Sequence, residues 1–300
     1  MVASLYVLPH RKPSGNVEVC GLHPIRAGVR IRGQQARCAE ARSILLMKYL
    51  VAILAWLMPV VAWLSNSGLF GPTNRVISDA YPTLIVAAGY AFSIWGPIFV
   101  LDLIYGTWQW LDRTHDARLQ HARPWTALAF AMTSLWMVVF ALEWFWLALV
   151  VIWVSLGALL VAAWHVSHTT RHARARWWQW VPLSLHAGWV SLAVFLNVAQ
   201  VVVAFRLLLV THMLPWTLVL FAAAAMLVFW TISRLRGNPW YVLAVIWGLL
   251  GVYVKQHGSA LAGADDAAWT ALALAVATLL WSLWCRPFRQ QSLDGDRAGG

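Results

Sequence analysis

The stretch Trp144-Phe-Trp-Leu-Ala-Leu-Val-Val-Ile-Trp-Val-Ser-Leu-Gly-Ala-Leu-Leu-Val-Ala-Ala-Trp164 contains no charged residue and a single hydroxyl, that of Ser155. A helix needs about 20 apolar residues to cross a hydrocarbon core about 30 Å thick. Helices also bond every backbone group within their own segment, which is the condition that lipid imposes. The period-2 alternation of a lipid-facing barrel strand is absent. Outward from this run, comparable ones occur at 47–64, 84–111, 124–142, 178–204, 215–233, 239–256 and 267–285. The expected fold is all-α, a polytopic transmembrane helical bundle of about eight spans.

The composition excludes a soluble domain. Charged residues make up 11% and apolar ones 61%, where a soluble chain carries about 25% charged residues. A net charge of +11 raises the possibility of nucleic-acid binding, but the basic residues sit in short clusters between the apolar runs. Arg113, Arg118 and Arg123 follow span two, and Arg171, Arg174 and Arg176 follow span four. Arg234 and Arg236 follow span six, and Arg286, Arg289 and Arg297 follow span eight. Positive charge on every even-numbered loop is the pattern of cytoplasmic loops, so both termini are expected in the cytoplasm, with a bacterial inner membrane as the location. The bilayer, not nucleic acid, is the expected partner.

Residues 1–46 stand apart, with seven of the 22 Lys/Arg and no sustained period. They read either as a disordered basic tail or as sequence upstream of a start at Met47, and they lack the continuous apolar core of a signal peptide. Residues 286–300 form a short cytoplasmic tail. Cys20, Cys38 and Cys285 make neither a disulfide framework nor a C-x-x-C pair.

Twenty-two tryptophans are a large excess. Many fall at run ends, where an amphipathic ring suits the membrane interface. Trp95, Trp136 and Trp189 fall inside runs and need either packing partners or a ligand to lie against. The second span reads Phe92-Ser-Ile-Trp95-Gly-Pro-Ile-Phe99, the third Thr133-Ser-Leu-Trp136-Met-Val-Val-Phe140. The fifth has Pro182 and then Trp189-Val-Ser-Leu-Ala193-Val-Phe-Leu196-Asn197. Arg75 through Pro82 precede the second span, and Trp247-Gly-Leu-Leu-Gly lies near the end of the chain.

These stretches resemble the TspO/MBR family of tryptophan-rich sensory proteins, in its longer variant with extra C-terminal helices. The resemblance covers roughly 47–200 and rests mainly on the Trp189, Ala193, Asn197 spacing. It implies a TspO-like five-helix unit over 47–204 and a three-helix extension over 205–285. It also implies a small hydrophobic ligand, tetrapyrrole or sterol-like, with haem or porphyrin as candidates, bound for sensing, regulation or transport. The ligand-binding residues it points to are Trp95, Phe99, Trp136, His186, Trp189, Ala193 and Asn197, and a homodimer is an open alternative. Thr133 stands where the family has Asn, and Phe99 where Tyr is usual. The loop 65–84 has no tryptophan, only Phe70 and Tyr81.

Several residues admit two readings. Large rings at 95, 136 and 189 line a concave apolar site or fill the bundle core. Asp102, an acid well inside a span, is a proton or ligand site facing the bundle interior, or it reaches the cytoplasmic headgroups. His186 hydrogen-bonds across helices or serves as an axial ligand. His165, His168 and His172 share one helical face, as a metal site would need; beside Arg171, Arg174 and Arg176 the favoured reading is a set of interfacial anchors. The enzymatic alternative, a membrane-embedded metalloenzyme, rests on that face alone, and catalysis is not expected; the other alternative is a structural membrane protein without ligand. Asp265-Asp266 reads as the N-cap of the last span.

Overall fold

A computed structural model describes residues 28–112, 116–167, 173–208 and 212–286, with the backbone alone for 28–41 and 173–176. The chain divides into two units, Met1–Ile44 and Leu45–Gly300, and the packing described below is that of the second. The elements are α1 (Gly28–Asn66), α2 (Asn74–Ala80), a 3-10 turn (Gly89–Ile94), α3 (Trp95–Leu111), α4 (Ala117–Ala141), α5 (Phe145–Ser167), α6 (Ala173–Ala204), α7 (Met213–Arg234), α8 (Pro239–Gln256) and α9 (Ala264–Cys285). The protein is all-helical among the described residues.

Seven of these helical segments are long and apolar enough to cross a membrane. Eight apolar runs lead to the expectation of eight spans; α8, with Lys255 and Gln256 inside its 18 residues, is the one that falls short. It is nevertheless well buried along one face, through Tyr241, Val245, Leu249 and Val252.

The helices are not equivalent. α6 is the buried axis, packed by α3, α5, α7 and α8, whereas α1 presents Ile53, Trp56, Val60 and Trp63 outward. Small residues allow the close approaches on α6. A Cβ on Gly188 would collide with the carbonyl oxygen of Tyr241, so α6 and α8 touch backbone to backbone there. Close contact through small residues is how membrane helices associate without a hydrophobic drive between them.

The second span departs from expectation. The apolar run 84–111 is not one helix: residues 84–88 are non-helical, a 3-10 turn follows, and α3 begins only at Trp95. Pro82 removes a backbone donor and biases Tyr81 toward extended conformations, so the helix cannot run back into α2. Irregular backbone at membrane depth is tolerated only where protein covers it, and here α8 is the cover. Ala88 N–H donates to Gly251 O (2.8 Å), and Trp247 Nε1 donates to Ala91 O (2.9 Å). Gln256 Nε2 donates to both Thr83 O (3.0 Å) and Val86 O (3.1 Å). Ala91 also lies where a Cβ on Gly251 would strike it, so this seam has no slack.

Two further differences are local. α2 was not anticipated; it is capped by Thr73, whose hydroxyl accepts from Val76 N–H. Asp265 and Asp266 lie in the first turn of α9 rather than at its N-cap, which is Gly263 at φ 81°. Asp265 instead accepts from Gly258 N–H at 3.0 Å, closing the α8–α9 turn, and the two carboxylates suit the positive end of the helix dipole.

Candidate aromatic site

α3, α4 and α6 meet around Trp95, Trp136 and Trp189. Trp95 stacks on Trp136 (centroids 5.9 Å, 29°) and stands edge-on to Trp189 (6.1 Å, 83°). Trp136 continues the stack onto Phe140 (5.0 Å), and Phe99 also stacks on Trp95 (5.3 Å). Phe92, from the 3-10 turn, stands edge-on to Trp189 at 6.0 Å. Offset and edge-on pairs at these distances are the arrangements that aromatic quadrupoles favour.

Asn197 fixes the Trp136 ring. Its Oδ1 accepts from Trp136 Nε1 at 3.0 Å, while its Nδ2 donates one turn back to Ala193 O at 2.8 Å. The stripe Trp189, Ala193, Asn197 thus faces α4, and Asn74 and Ser78 of α2 join it with Thr83, Leu196 and Gln200. The enclosed space is small: a cavity of about 20 Å³, room for about one water. A second cavity of about 20 Å³ lies on the other side of Trp189, Ala193 and Leu196, against Phe221, Gly248 and Leu249. A single layer of side chains divides the two.

Four polar atoms in the lining are buried with no hydrogen-bond partner: Trp95 Nε1, Trp189 Nε1, Gln200 Nε2 and Asn74 Oδ1. A buried orphan of this kind costs about 1–3 kcal/mol, and four around one small space is a concentration that core packing does not require.

Of the residues singled out from sequence, Trp95, Trp136, Trp189, Ala193 and Asn197 line the cavity. Phe99 and His186 do not, but both contact Trp95, with His186 edge-on at 5.8 Å. Asp102 does not reach toward the headgroups; it is fully buried, 2.7 Å from His186 Nδ1. That pairing joins positions 84 apart, and no local spacing announces it. His165 stacks on His121 (5.9 Å), while His168 and His172 lie outside the described residues. No group of three or more His, Cys, Asp or Glu side chains gathers as a metal would need among the described residues. The lining residues Asn74, Ser78, Thr83 and Gln200 were missed in the sequence: nothing marks the short helix α2 and the residues after it as part of the site, and Gln200 lies on α6 three positions beyond the Trp189, Ala193, Asn197 stripe.

Fold and site together define an integral, multi-pass membrane protein whose helices enclose an aromatic-lined interior. The chain matches the model of the TSPO-like protein family over residues 48–284, and it belongs to that family. The match takes in α7, α8 and α9, so the three-helix extension is part of the family's own extent. The searches of curated proteins and of solved structures found no match.

Proposed function

We propose that the protein binds a small, flat, hydrophobic ligand, of the tetrapyrrole or sterol-like kind, between Trp95, Trp136 and Trp189, for sensing, regulation or transport. The observation that carries this reading is that four residues lining one aromatic cavity each hold a buried polar atom with no hydrogen-bond partner. Core tryptophans would keep the rings without needing the orphans; a ligand with hydrogen-bond acceptors at its edge answers three donors at once. The cavity is too small for such a ligand with the rings as they stand. The thin wall of Trp189, Ala193 and Leu196 supports entry by displacement: turning the Trp189 ring joins the two cavities.

Titration with protoporphyrin IX, read by quenching of tryptophan emission, tests the reading. Saturable quenching is expected, weakened in Trp189→Leu by on the order of 1 kcal/mol for a lost aromatic pair. Equal quenching in wild type and in a Trp95→Leu/Trp189→Leu double variant would place any binding elsewhere.

The same reading counts α8 as an eighth crossing beside the seven membrane-length helices, and so puts both termini in the cytoplasm of a bacterial inner membrane, on the parity of the Arg-rich loops. A reporter active only in the cytoplasm should work after Arg236 and at the C-terminus, and be silent near Gly71 or Gly263. The opposite pattern would overturn it.

A further inference from the structure

Mid-span, below the aromatic site, four helices contribute to one polar chain. His186 Nδ1 (α6) lies 2.7 Å from Asp102 Oδ2 (α3), and both side chains are fully buried. His186 Nε2 lies 3.3 Å from Thr133 Oγ1 (α4), which lies 2.9 Å from Ser155 Oγ (α5). Ser155 donates to Ala129 O at 3.3 Å. Asp102 Oδ1 has no partner.

The direction of this chain can be read from its end. With the single hydrogen of Ser155 given to Ala129 O, which can only accept, rather than to Thr133 Oγ1, the direction is set. Ser155 then accepts from Thr133, which uses the one hydrogen Thr133 has. Thr133 meets His186 with a lone pair, so Nε2 carries a hydrogen. At 2.7 Å a bare Nδ1 cannot face a bare carboxylate oxygen, so a proton lies between them. Whichever of the two atoms holds it, imidazole, carboxyl and shared proton sum to zero charge. Neutrality is what a site inside the hydrocarbon demands.

We propose that Asp102 and His186 form an intramembrane proton-binding site, which holds one proton between them as a neutral unit and couples its gain or loss to the position of the Trp95 ring. The coupling is by contact. Trp95 stands edge-on to the His186 ring at 5.8 Å, and Phe130 stacks on that ring at 6.2 Å. Trp95 in turn stacks on Trp136 in the cavity wall. Removing the proton to water leaves a carboxylate against a nitrogen lone pair; the two repel, and the imidazole cannot turn without moving the indole. The other ionisable groups facing the pair are Tyr105, one turn along α3, and beyond it Arg123 on α4, whose Nε donates to Gln109 at 3.1 Å. α5 contributes the uncharged Ser155. This inference does not rest on the ligand-binding reading, and its test uses no ligand.

Nitrogen NMR of histidine-labelled protein in lipid nanodiscs reads the proton directly, with the His186 signals assigned by their loss in His186→Gln. Nε2 should be protonated across the neutral range, and Nδ1 should show a proton shared with an oxygen. A bare Nε2 would reverse the chain and overturn the proposal. The second arm is Asp102→Asn, whose amide N–H donates to Nδ1 and keeps the arrangement neutral but cannot release a proton. Wild-type tryptophan emission should show a step on raising pH that is missing in Asp102→Asn and in Trp95→Phe. A step of equal size in Asp102→Asn, or none in wild type, would overturn the coupling. If Asp102→Asn does not fold, the nitrogen signals of wild type still decide.

Discussion

At the scale of single residues, the site depends on polar atoms that aim aromatic rings. Asn197 holds Trp136 and is itself held by α6's own backbone. Asn197→Leu keeps the branched shape, with a larger volume, but leaves a buried indole N–H without an acceptor, at a cost of about 1–3 kcal/mol. The expected readout is a lowered thermal midpoint together with altered tryptophan emission; an unchanged midpoint would mean that a neighbour replaces the bond. Outside the membrane, Tyr81 O–H donates to Glu143 at 2.9 Å, and the carboxylate holds the phenol above its ordinary range. A tyrosine bound more tightly to its proton in the folded state stabilises fully below the unfolded value and less as pH rises through the folded one. The difference in stability between wild type and Tyr81→Phe should therefore shrink at high alkaline pH, which thermal melts across that range can check. The tryptophans of the site could be read from sequence because a ring buried mid-span is conspicuous. The Asp102–His186 pair could not, because one turn of sequence says nothing of a partner on another helix.

At the scale of elements, lipid makes helices easy to find and their interruptions hard. Each apolar run contains a helix, because length and apolarity are what a span requires, but the run 84–111 is helical only from its 3-10 turn onward. Residues 84–88 escaped because a buried extended segment and a buried helix have the same composition; the difference lies in who satisfies the backbone, and that is α8. Gln256 is the critical contact, one side-chain amide serving two carbonyls. Gln256→Leu should strand Val86 O, at a cost of about 1–3 kcal/mol, and leave Thr83 O with only the 3.4 Å bond from Val86 N–H. Hydrogen exchange should rise selectively over 83–91 and over the facing turn of α8. Unchanged exchange there would show that the seam holds through Gly251 and Trp247 alone.

At the scale of the whole molecule, the three C-terminal helices are structural rather than appended. The family match runs through them, α8 packs along α6, and the second span is finished by bonds from α8. A chain ending after Arg236 retains every tryptophan of the aromatic site, yet it should fail to give a monodisperse, cooperatively melting species in detergent. A truncated protein with the wild-type melting midpoint would mean that the first spans fold unaided.

Those seam bonds also impose an order in time. The Trp247–Ala91 bond joins residues 156 positions apart, and ribosomes add about 5–20 residues per second. For roughly ten to thirty seconds, then, each nascent copy holds residues 83–91 in the bilayer before their acceptors and donors have been synthesised. During that interval the half-made protein resembles a misfolded one to any membrane protease, and the rate of translation across α7 and α8 becomes a determinant of yield.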